Sequence, residues 1–398
     1  MVKQKRTIVK QFIYNVIGTT FPTLALQLLF LPMIAKNMDG ETYGFVLTIV
    51  AAVMMVSSGI GNVLNNIRML SDTEYETKRI HGDFGYLFIV NAFATSAVII
   101  GILYYYGIRG ISTYLLTFFM SLSVYAKDYY IVRIRIALDY WKIMICNFFC
   151  VLGYAFGYGL FCLGGEWQYI YIIGSLFGLF YNLWKFPVQR PFFAKTALFV
   201  QTAKRFGALA TATILGRSLQ YIDRLLLFPL LGGEDATIYY VSTLIGKTIA
   251  MALTPLNSFL LSQLAKKKEL SRGVFGKIML FTCGMGFVGY WICIIVAKPL
   301  LGLLYPQWIA QSMKYIYVTT LAAIISAIST VLNPIVLKFC NMNWQIVING
   351  VCFVVYLIIS LALLKLFGLM GFCIGNVIAN GIMLLLMVIA YQRTYKGV

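Results

Sequence analysis

The sequence predicts an all-α polytopic membrane protein with about twelve transmembrane helices in two pseudo-symmetric six-helix bundles. Three observations carry this. Only 11% of the 398 residues are charged and 61% are apolar, where soluble domains carry roughly 25% and 45–50%. Apolar runs recur along the whole chain, and a hydrocarbon core of about 30 Å needs roughly 20 such residues per helix. Lysine and arginine gather on alternate connections between those runs, as the bias toward cytoplasmic loops requires. A soluble fold with so few charges would expose large apolar patches, whereas lipid accepts that surface.

The predicted spans are 12–35, 44–64, 84–106, 111–126, 143–163, 168–186, 206–231, 237–262, 274–297, 314–337, 344–364 and 369–391. The fourth is short and runs on into Lys127–Lys142, KDYYIVRIRIALDYWK, which reads as an interfacial helix end. With the amino terminus in the cytoplasm, the outer loops hold only Lys36, Arg109, Lys298, Lys314 and Lys365. Apart from three basic residues inside spans, every other Lys and Arg of the 32 falls on the inner side. Both termini are therefore expected in the cytoplasm. The net charge of +19 belongs to those loops, which face anionic headgroups, and nucleic acid is not an expected partner.

The eight cysteines lie in or beside apolar runs and lack nearby His or acid. They read as packing residues, with no disulfide framework, metal site or catalytic centre. His81, the one histidine, sits in a charged loop. No cofactor is expected. The first apolar run is full length without a small-residue cleavage site, so no cleavable signal peptide is expected.

A repeat is visible. The first span ends in LPMIAKNMDGETYG (31–44), and about 196 residues later the seventh ends in LFPLLGGEDATIYY (227–240). Each piece has a Pro near the end of an apolar helix, a Gly-acidic turn and then Tyr, at Tyr43 and Tyr239. Basic loops recur at a similar offset, which predicts an amino-terminal lobe over 1–200 and a carboxy-terminal lobe over 201–398. Six helices per lobe is an even number, so both lobes enter the membrane in the same sense, related by an axis along the membrane normal. Paired lobes enclosing a cleft are a transporter architecture.

The stretches FIYNVIGTTFPTLALQLLFLPMIAKNMDGETYGFVLTIVAAV and SSGIGNVLNNIRML resemble the first two helices of polysaccharide exporters. These are the Wzx-type O-antigen and capsule flippases of the multidrug/oligosaccharidyl-lipid/polysaccharide (MOP) superfamily. The second-half stretch YIDRLLLFPLLGGEDATIYYVSTLIGK is similar to the equivalent segment of that family. The resemblance covers most of the chain in topology and is specific in these stretches. It implies a MATE/MOP-like fold in the bacterial cytoplasmic (inner) membrane and a transporter, not an enzyme. The implied substrate is an undecaprenyl-pyrophosphate-linked oligosaccharide, flipped for O-antigen, capsule or exopolysaccharide synthesis. Membrane lipids, a polysaccharide polymerase and chain-length proteins are the other implied partners.

Charges inside spans sharpen this. A charge at the bilayer centre costs at least about 2.5–3.5 kcal/mol and asks for a reason. The seventh span holds Arg217, Asp223 and Arg224, and the eighth holds Lys247. Arg217 and Arg224 are seven residues apart and share a helix face. Three cations against one carboxylate would make a wet cavity positive. Arg217, Arg224 and Lys247 are therefore the candidates for holding pyrophosphate, with Arg68 at the inner end of the second span, where a headgroup is first met. Tyr14, Asn15, Gln27, Asn62, Asn65, Gln220 and Tyr221 are the candidates for sugar hydroxyls. Pro22 allows the first helix to bend. Asp223, the one acid within a predicted span, is the candidate for ion coupling. No P-loop is present to use ATP.

Three other readings remain open. A lipid II-type flippase must also bind pyrophosphate. A MATE-like multidrug exporter would meet a cavity that repels cationic drugs. A membrane-embedded polysaccharide polymerase would carry a large outer loop with catalytic acids or arginines, and the longest outer loop here, 298–313, has no acid.

Overall fold

A computed structural model of the chain describes residues 18, 20–80, 82–108, 110–137, 139–187, 193–265, 271–340 and 342–396. Among these residues there are helices and no strand. The long helices are α1 Thr20–Ala35, α2 Gly40–Thr77, α3 Phe84–Tyr105, α4 Ile111–Tyr130, α5 Tyr140–Cys162 and α6 Gln168–Lys185. They continue as α7 Phe199–Leu231, α8 Gly233–Ala265, α9 Arg272–Leu304 and α10 Ile316–Phe339. The last helical run, Met342–Lys396, is broken at Gly368 (φ 60°, ψ −145°) into α11 (342–367) and α12 (369–396). Twelve helices thus correspond one to one with the predicted spans. The protein is a polytopic all-α membrane protein.

Several helices outrun their apolar cores. The second span was expected to end near residue 64, yet α2 continues through the basic segment to Thr77. Glu74 accounts for part of that: it pairs with Lys78 one turn on (3.5 Å) and with Arg205 of α7 (3.1 Å). Arg79 then stops the chain with φ 52°. Beyond it, the buried Asp83 carboxylate accepts hydrogen bonds from the Tyr75 hydroxyl (2.6 Å) and from the Thr196 amide (2.7 Å) and hydroxyl. Tyr75 also meets Thr202 at 2.9 Å. These contacts tie the start of α7 to the α2–α3 turn.

The fourth helix is likewise longer than expected. It reaches Tyr130, turns at Ile131 and resumes over Val132–Ile136. This stretch, expected as an interfacial end, is packed against its neighbours. Val132 and Ile134 are fully buried, and Arg135 reaches back to α2. Asp139 then caps α5 through the Lys142 amide at 3.2 Å and pairs with the Lys142 ammonium at 2.8 Å, which holds its carboxyl below the usual range.

In α1 the regular ladder gives way to a π-helical turn over Leu26–Phe30, four residues beyond Pro22. A proline that removes an amide donor is a recognised cause of such irregularity.

Packing separates the chain into two compact units. One comprises Met1–Asn37 and Phe45–Leu230, the other Met38–Gly44 and Leu231–Val398. In the first unit α6 packs on α4 and α5, and α3 on α4. In the second, α10 is central and touches α8, α9 and the α11–α12 run.

The second unit also brings the two Gly-acidic turns of the repeat together. Glu41 accepts from the Gly233 amide (2.8 Å) and the Glu234 amide (3.2 Å), placing a carboxylate on the amino end of α8, where free amides and the helix dipole favour it. The Thr237 hydroxyl donates to the Gly40 carbonyl at 2.7 Å. Around them Tyr43 stacks on Trp308 (5.6 Å between ring centres) and meets Tyr240 edge-on. Such proximity needs glycine, because a Cβ on Gly44 would stand 2.0 Å from the Gly233 carbonyl oxygen. Gly44→Ala is therefore expected to cost about 1–3 kcal/mol through overpacking. Thermal unfolding of the detergent-purified protein should show a lowered midpoint.

Candidate functional site

Two of the described candidates in the first unit, Arg217 and Asn62, meet on one short piece of α2, the segment Ser57–Asn62. Each residue there has a different partner. Ser57 meets the hydroxyl of Ser121 on α4 at 2.8 Å, and Ser121 in turn meets Ser96 of α3 at 3.0 Å. Arg217 of α7 donates through Nη1 to the Met54 carbonyl (2.7 Å) and to the Ser58 hydroxyl (3.3 Å). Asn62 donates to the Ser58 carbonyl (2.8 Å) and to Asp128 Oδ2 on α4 (3.3 Å). Asp128 pairs with Lys127 at 2.8 Å. A polar chain thus runs from Arg217 through Ser58, Asn62 and Asp128 to Lys127, crossing α7, α2 and α4.

Two glycines make the crossing possible. A Cβ on Gly59 would press on the Arg217 side chain at 3.2 Å, and one on Gly61 would stand 2.8 Å from the Tyr125 carbonyl oxygen. Small residues let helices approach this closely without lost packing.

Arg217 is half-buried, and its hydrogen-bond partners among the described residues are neutral. Among the described residues no carboxylate lies within ion-pair reach of it, and its Nε and Nη2 donors make no hydrogen bond. Its charge is held in place without being neutralised.

The other candidates divide. Asp223 and Arg224 are 4% and 6% exposed, so both are buried, and Asp223 Oδ1 accepts from the Arg224 amide at 2.9 Å. Arg224 therefore does not share the half-open setting of Arg217. Gln220 is exposed and Tyr221 half-buried. Asn62 and Asn65 belong to the α2 network. Arg68 lies one turn beyond, with its guanidinium on the Tyr129 hydroxyl and over the Phe84 (5.5 Å) and Tyr129 (5.7 Å) rings. Gln27 lies within the π turn of α1, and its buried Oε1 has no hydrogen-bond donor among the described residues. Tyr14 and Asn15 fall outside the described residues. Lys247 belongs to the second unit, where its ammonium stands 5.6 Å from the Tyr239 ring centre. There the Tyr239 hydroxyl accepts from Asn376 (3.2 Å), and Asn380 donates to Asn376 Oδ1 at 2.7 Å.

Asp128, outside the predicted fourth span, is also held in a helix, because α4 continues past the predicted end of that span to Tyr130. The sequence pair Lys127–Asp128 was legible, but its charges placed it outside the apolar window. Asn376 and Asn380, one turn apart in the last apolar run, were also overlooked as a polar ladder.

The Lys127–Asp128 pair yields a stability prediction. The two side chains are 20% and 15% exposed, and removing one partner of a buried pair leaves a bare charge that costs about 3–5 kcal/mol. Asp128→Asn should lower the thermal midpoint markedly. The double variant Lys127→Met/Asp128→Asn should recover much of the loss, measured side by side in detergent.

No protein-family model matches this sequence, and no curated protein matches it in a sequence search. Solved structures do match its fold. The chain is similar to an inward-facing multidrug resistance MATE family transporter of the MOP superfamily, with TM-score 0.68 and 10% identity, over 97% of this chain and 96% of that one. It is similar to the Vibrio cholerae MATE transporter VcmN in its bent form, with TM-score 0.61, 14% identity and 98% of each chain covered. It is also similar to the lipid II flippase MurJ in an inward closed conformation, with TM-score 0.65 and 9% identity, over 98% of this chain and 88% of that one. At these identities the likeness establishes a shared fold.

Proposed function

We propose that this chain is a flippase that carries an undecaprenyl-pyrophosphate-linked oligosaccharide across the bacterial cytoplasmic membrane by alternating access, for O-antigen, capsule or exopolysaccharide synthesis. Its termini face the cytoplasm, so the Arg68 end of α2 meets the inner leaflet. The fold it shares with MATE transporters and with the lipid II flippase MurJ supports export as the activity. One observation carries the choice of an anionic substrate. Arg217 is a half-buried cation fixed by a carbonyl and a hydroxyl, with no acid to quench it among the described residues. Leaving a charge uncompensated in a membrane protein is costly, and a phosphate oxygen brought by the substrate relieves the cost. The planar guanidinium suits two such oxygens at once.

In this reading Lys247, in the second unit, remains a candidate for phosphate by residue type, the buried Arg224 does not, and the amide groups of Gln27, Asn62 and Gln220 serve sugar hydroxyls, together with Tyr221 and, from the sequence alone, Tyr14 and Asn15. Coupling falls to an acid. Asp223 is the candidate from the sequence, and Asp128, at the far end of the polar chain from Arg217, is a second.

The likeness to MATE structures favours a second reading, a multidrug exporter. A cationic drug needs an available carboxylate, and Asp128 is committed to Lys127. A lipid II-type flippase shares the pyrophosphate chemistry and differs in the glycan.

Arg217→Ala should abolish complementation of a strain lacking its polysaccharide flippase while protein levels stay normal, and Arg217→Lys should retain part of the activity. Normal export by the alanine variant would remove the reading. The purified protein should bind an undecaprenyl-pyrophosphate glycan in preference to a cationic dye; the reverse preference would make the multidrug reading the better one.

A further inference from the structure

Asn62 of α2 has a duty in the fold that uses only half of its side chain. Its amide nitrogen donates to the Ser58 carbonyl (2.8 Å), to the Ser58 hydroxyl oxygen (3.4 Å) and to Asp128 Oδ2 (3.3 Å). A carbonyl and a carboxylate can only accept, so the nitrogen must face them and Oδ1 must face away. Among the described residues Oδ1 receives no hydrogen bond, and it is not enclosed, since Asn62 is only half-buried. Ser57 and Asn65 on the same helix, by contrast, are fully buried and have their side-chain oxygens bonded.

Arg217 presents the complementary case on the same hydroxyl. Its Nη1 donates to the Met54 carbonyl (2.7 Å) and to Ser58 Oγ (3.3 Å), which uses both hydrogens of that nitrogen. The Nε–Nη2 edge is left, with no partner among the described residues and not enclosed. That edge is a planar fork of two donors, which fits two oxygens of one phosphate. The two side chains meet on one atom: Nη1 of Arg217 and the amide nitrogen of Asn62 stand 3.3 and 3.4 Å from Ser58 Oγ. Gly59 leaves the room for this, since a Cβ there would come within 3.2 Å of Arg217 Cδ.

A charged fork and a lone acceptor are thus set around one serine, and their chemistry specifies a ligand with two parts. The fork takes an anionic phosphate. The acceptor needs an O–H or N–H close to that phosphate, and the Asp128 carboxylate stands behind it. A diphosphate with a free end offers acceptors there, and it carries more negative charge than one that bridges lipid and sugar. Against Oδ1 and Asp128 such an end is repelled, and repulsion of the wrong partner gives selectivity.

We propose that Asn62 reads the sugar attached to the diphosphate, accepting a hydrogen bond from the ring carbon beside the anomeric one, so that the protein binds a glycan-loaded carrier lipid and rejects the bare one. The inference rests on the flippase reading and deepens it. Arg217 recognises the phosphate, which loaded and bare carrier share. Asn62 supplies the choice between them.

The test measures binding to the full chain in nanodiscs of neutral phosphatidylcholine. Three probes are compared: undecaprenyl diphosphate, the same lipid bearing glucose, and the same lipid bearing 2-deoxy-2-fluoroglucose. The fluoro sugar keeps its size but has no donor at the carbon in question. The unaltered chain should bind the glucosyl lipid about tenfold or more tightly than the bare one, since like charges placed together are costly. Loss of one neutral hydrogen bond should weaken the fluoro probe about three- to tenfold. Asn62→Ala should bind the glucosyl and fluoro probes alike, and Arg217→Gln should weaken all three. Equal affinity of the unaltered chain for the glucosyl and fluoro probes overturns the inference, and so does equal affinity for the glucosyl and bare lipids. Both comparisons use the unaltered chain, so they decide the matter even where Asn62→Ala fails to fold. The two proposals fail separately. Should the flippase reading be wrong, the unaltered chain would restore no polysaccharide export in a strain lacking its flippase; should this inference alone be wrong, export would be restored and the fluoro probe would bind as well as the glucosyl one.

Discussion

The first unit depends on how α2 passes between its neighbours. A helix buried among other helices gains nothing from excluding lipid, since lipid tails are as apolar as its own side chains. Close approach and hydrogen bonds must hold the crossing instead. The segment Ser57–Asn62 supplies both: hydroxyls toward α4 and α7, glycines where backbones and the Arg217 stem come close, and an amide that reaches Asp128. The same small polar residues that allow the helices to touch also decide where Arg217 and Asp128 stand. Packing and charge placement are one problem here, and a change in the former displaces the latter.

A second constraint is the shortage of acid. With 13 acidic residues against 32 basic ones, the chain cannot match each inward-turned cation with a carboxylate. It does so once within α4, at Lys127–Asp128. Elsewhere among the described residues it uses groups that orient without neutralising: a carbonyl and hydroxyl for Arg217 and amide oxygens for Arg135. Anchoring by neutral groups keeps a guanidinium still while leaving its field intact. That is the property an anion receptor needs, because no ion pair has to break before the ligand binds.

The helices were legible because a bilayer enforces length and apolarity together, so hydropathy alone located all twelve. The errors arose where that signal stops. The segment after Leu64 is polar, yet α2 runs on to Thr77 on the strength of Glu74 pairs and the burial of Tyr75. Lys127 and Asp128 fell outside their span because each charge reads as a loop when counted singly, while as a pair they stay in the helix. The Gly-acidic turns were recognised as a repeat by their residues alone; that they pack on each other through Glu41, Gly44 and Gly233 is tertiary information. For the site, the sequence picked out Arg217, Asn62, Asn65 and Arg68 by type and position. It had no means of learning that Arg224 is packed away or that Arg135 turns inward, since both depend on which face of a helix meets its neighbour.

Fold likeness alone leaves the substrate open, because a multidrug resistance transporter and a lipid II flippase share this architecture among the matched structures. In the reading proposed above, the electrostatics of the first unit favour the second over the first. A binding site for a cation has to present unpaired acid, and Asp128 faces Lys127 while Asp83 is enclosed by Tyr75 and Thr196. A binding site for an anion has to present unquenched cations with donors to spare, which describes Arg217 and Arg135. Reversing that balance would take more than one substitution, because the Met54 carbonyl and Ser58 hydroxyl that hold Arg217 and the Asn65 and Asn66 amides that hold Arg135 lie at separate positions along α2. In the flippase reading proposed above, the helix crossing that holds Arg217 suits an anionic cargo, a preference drawn from the residues of α2 and α7 and not from the fold.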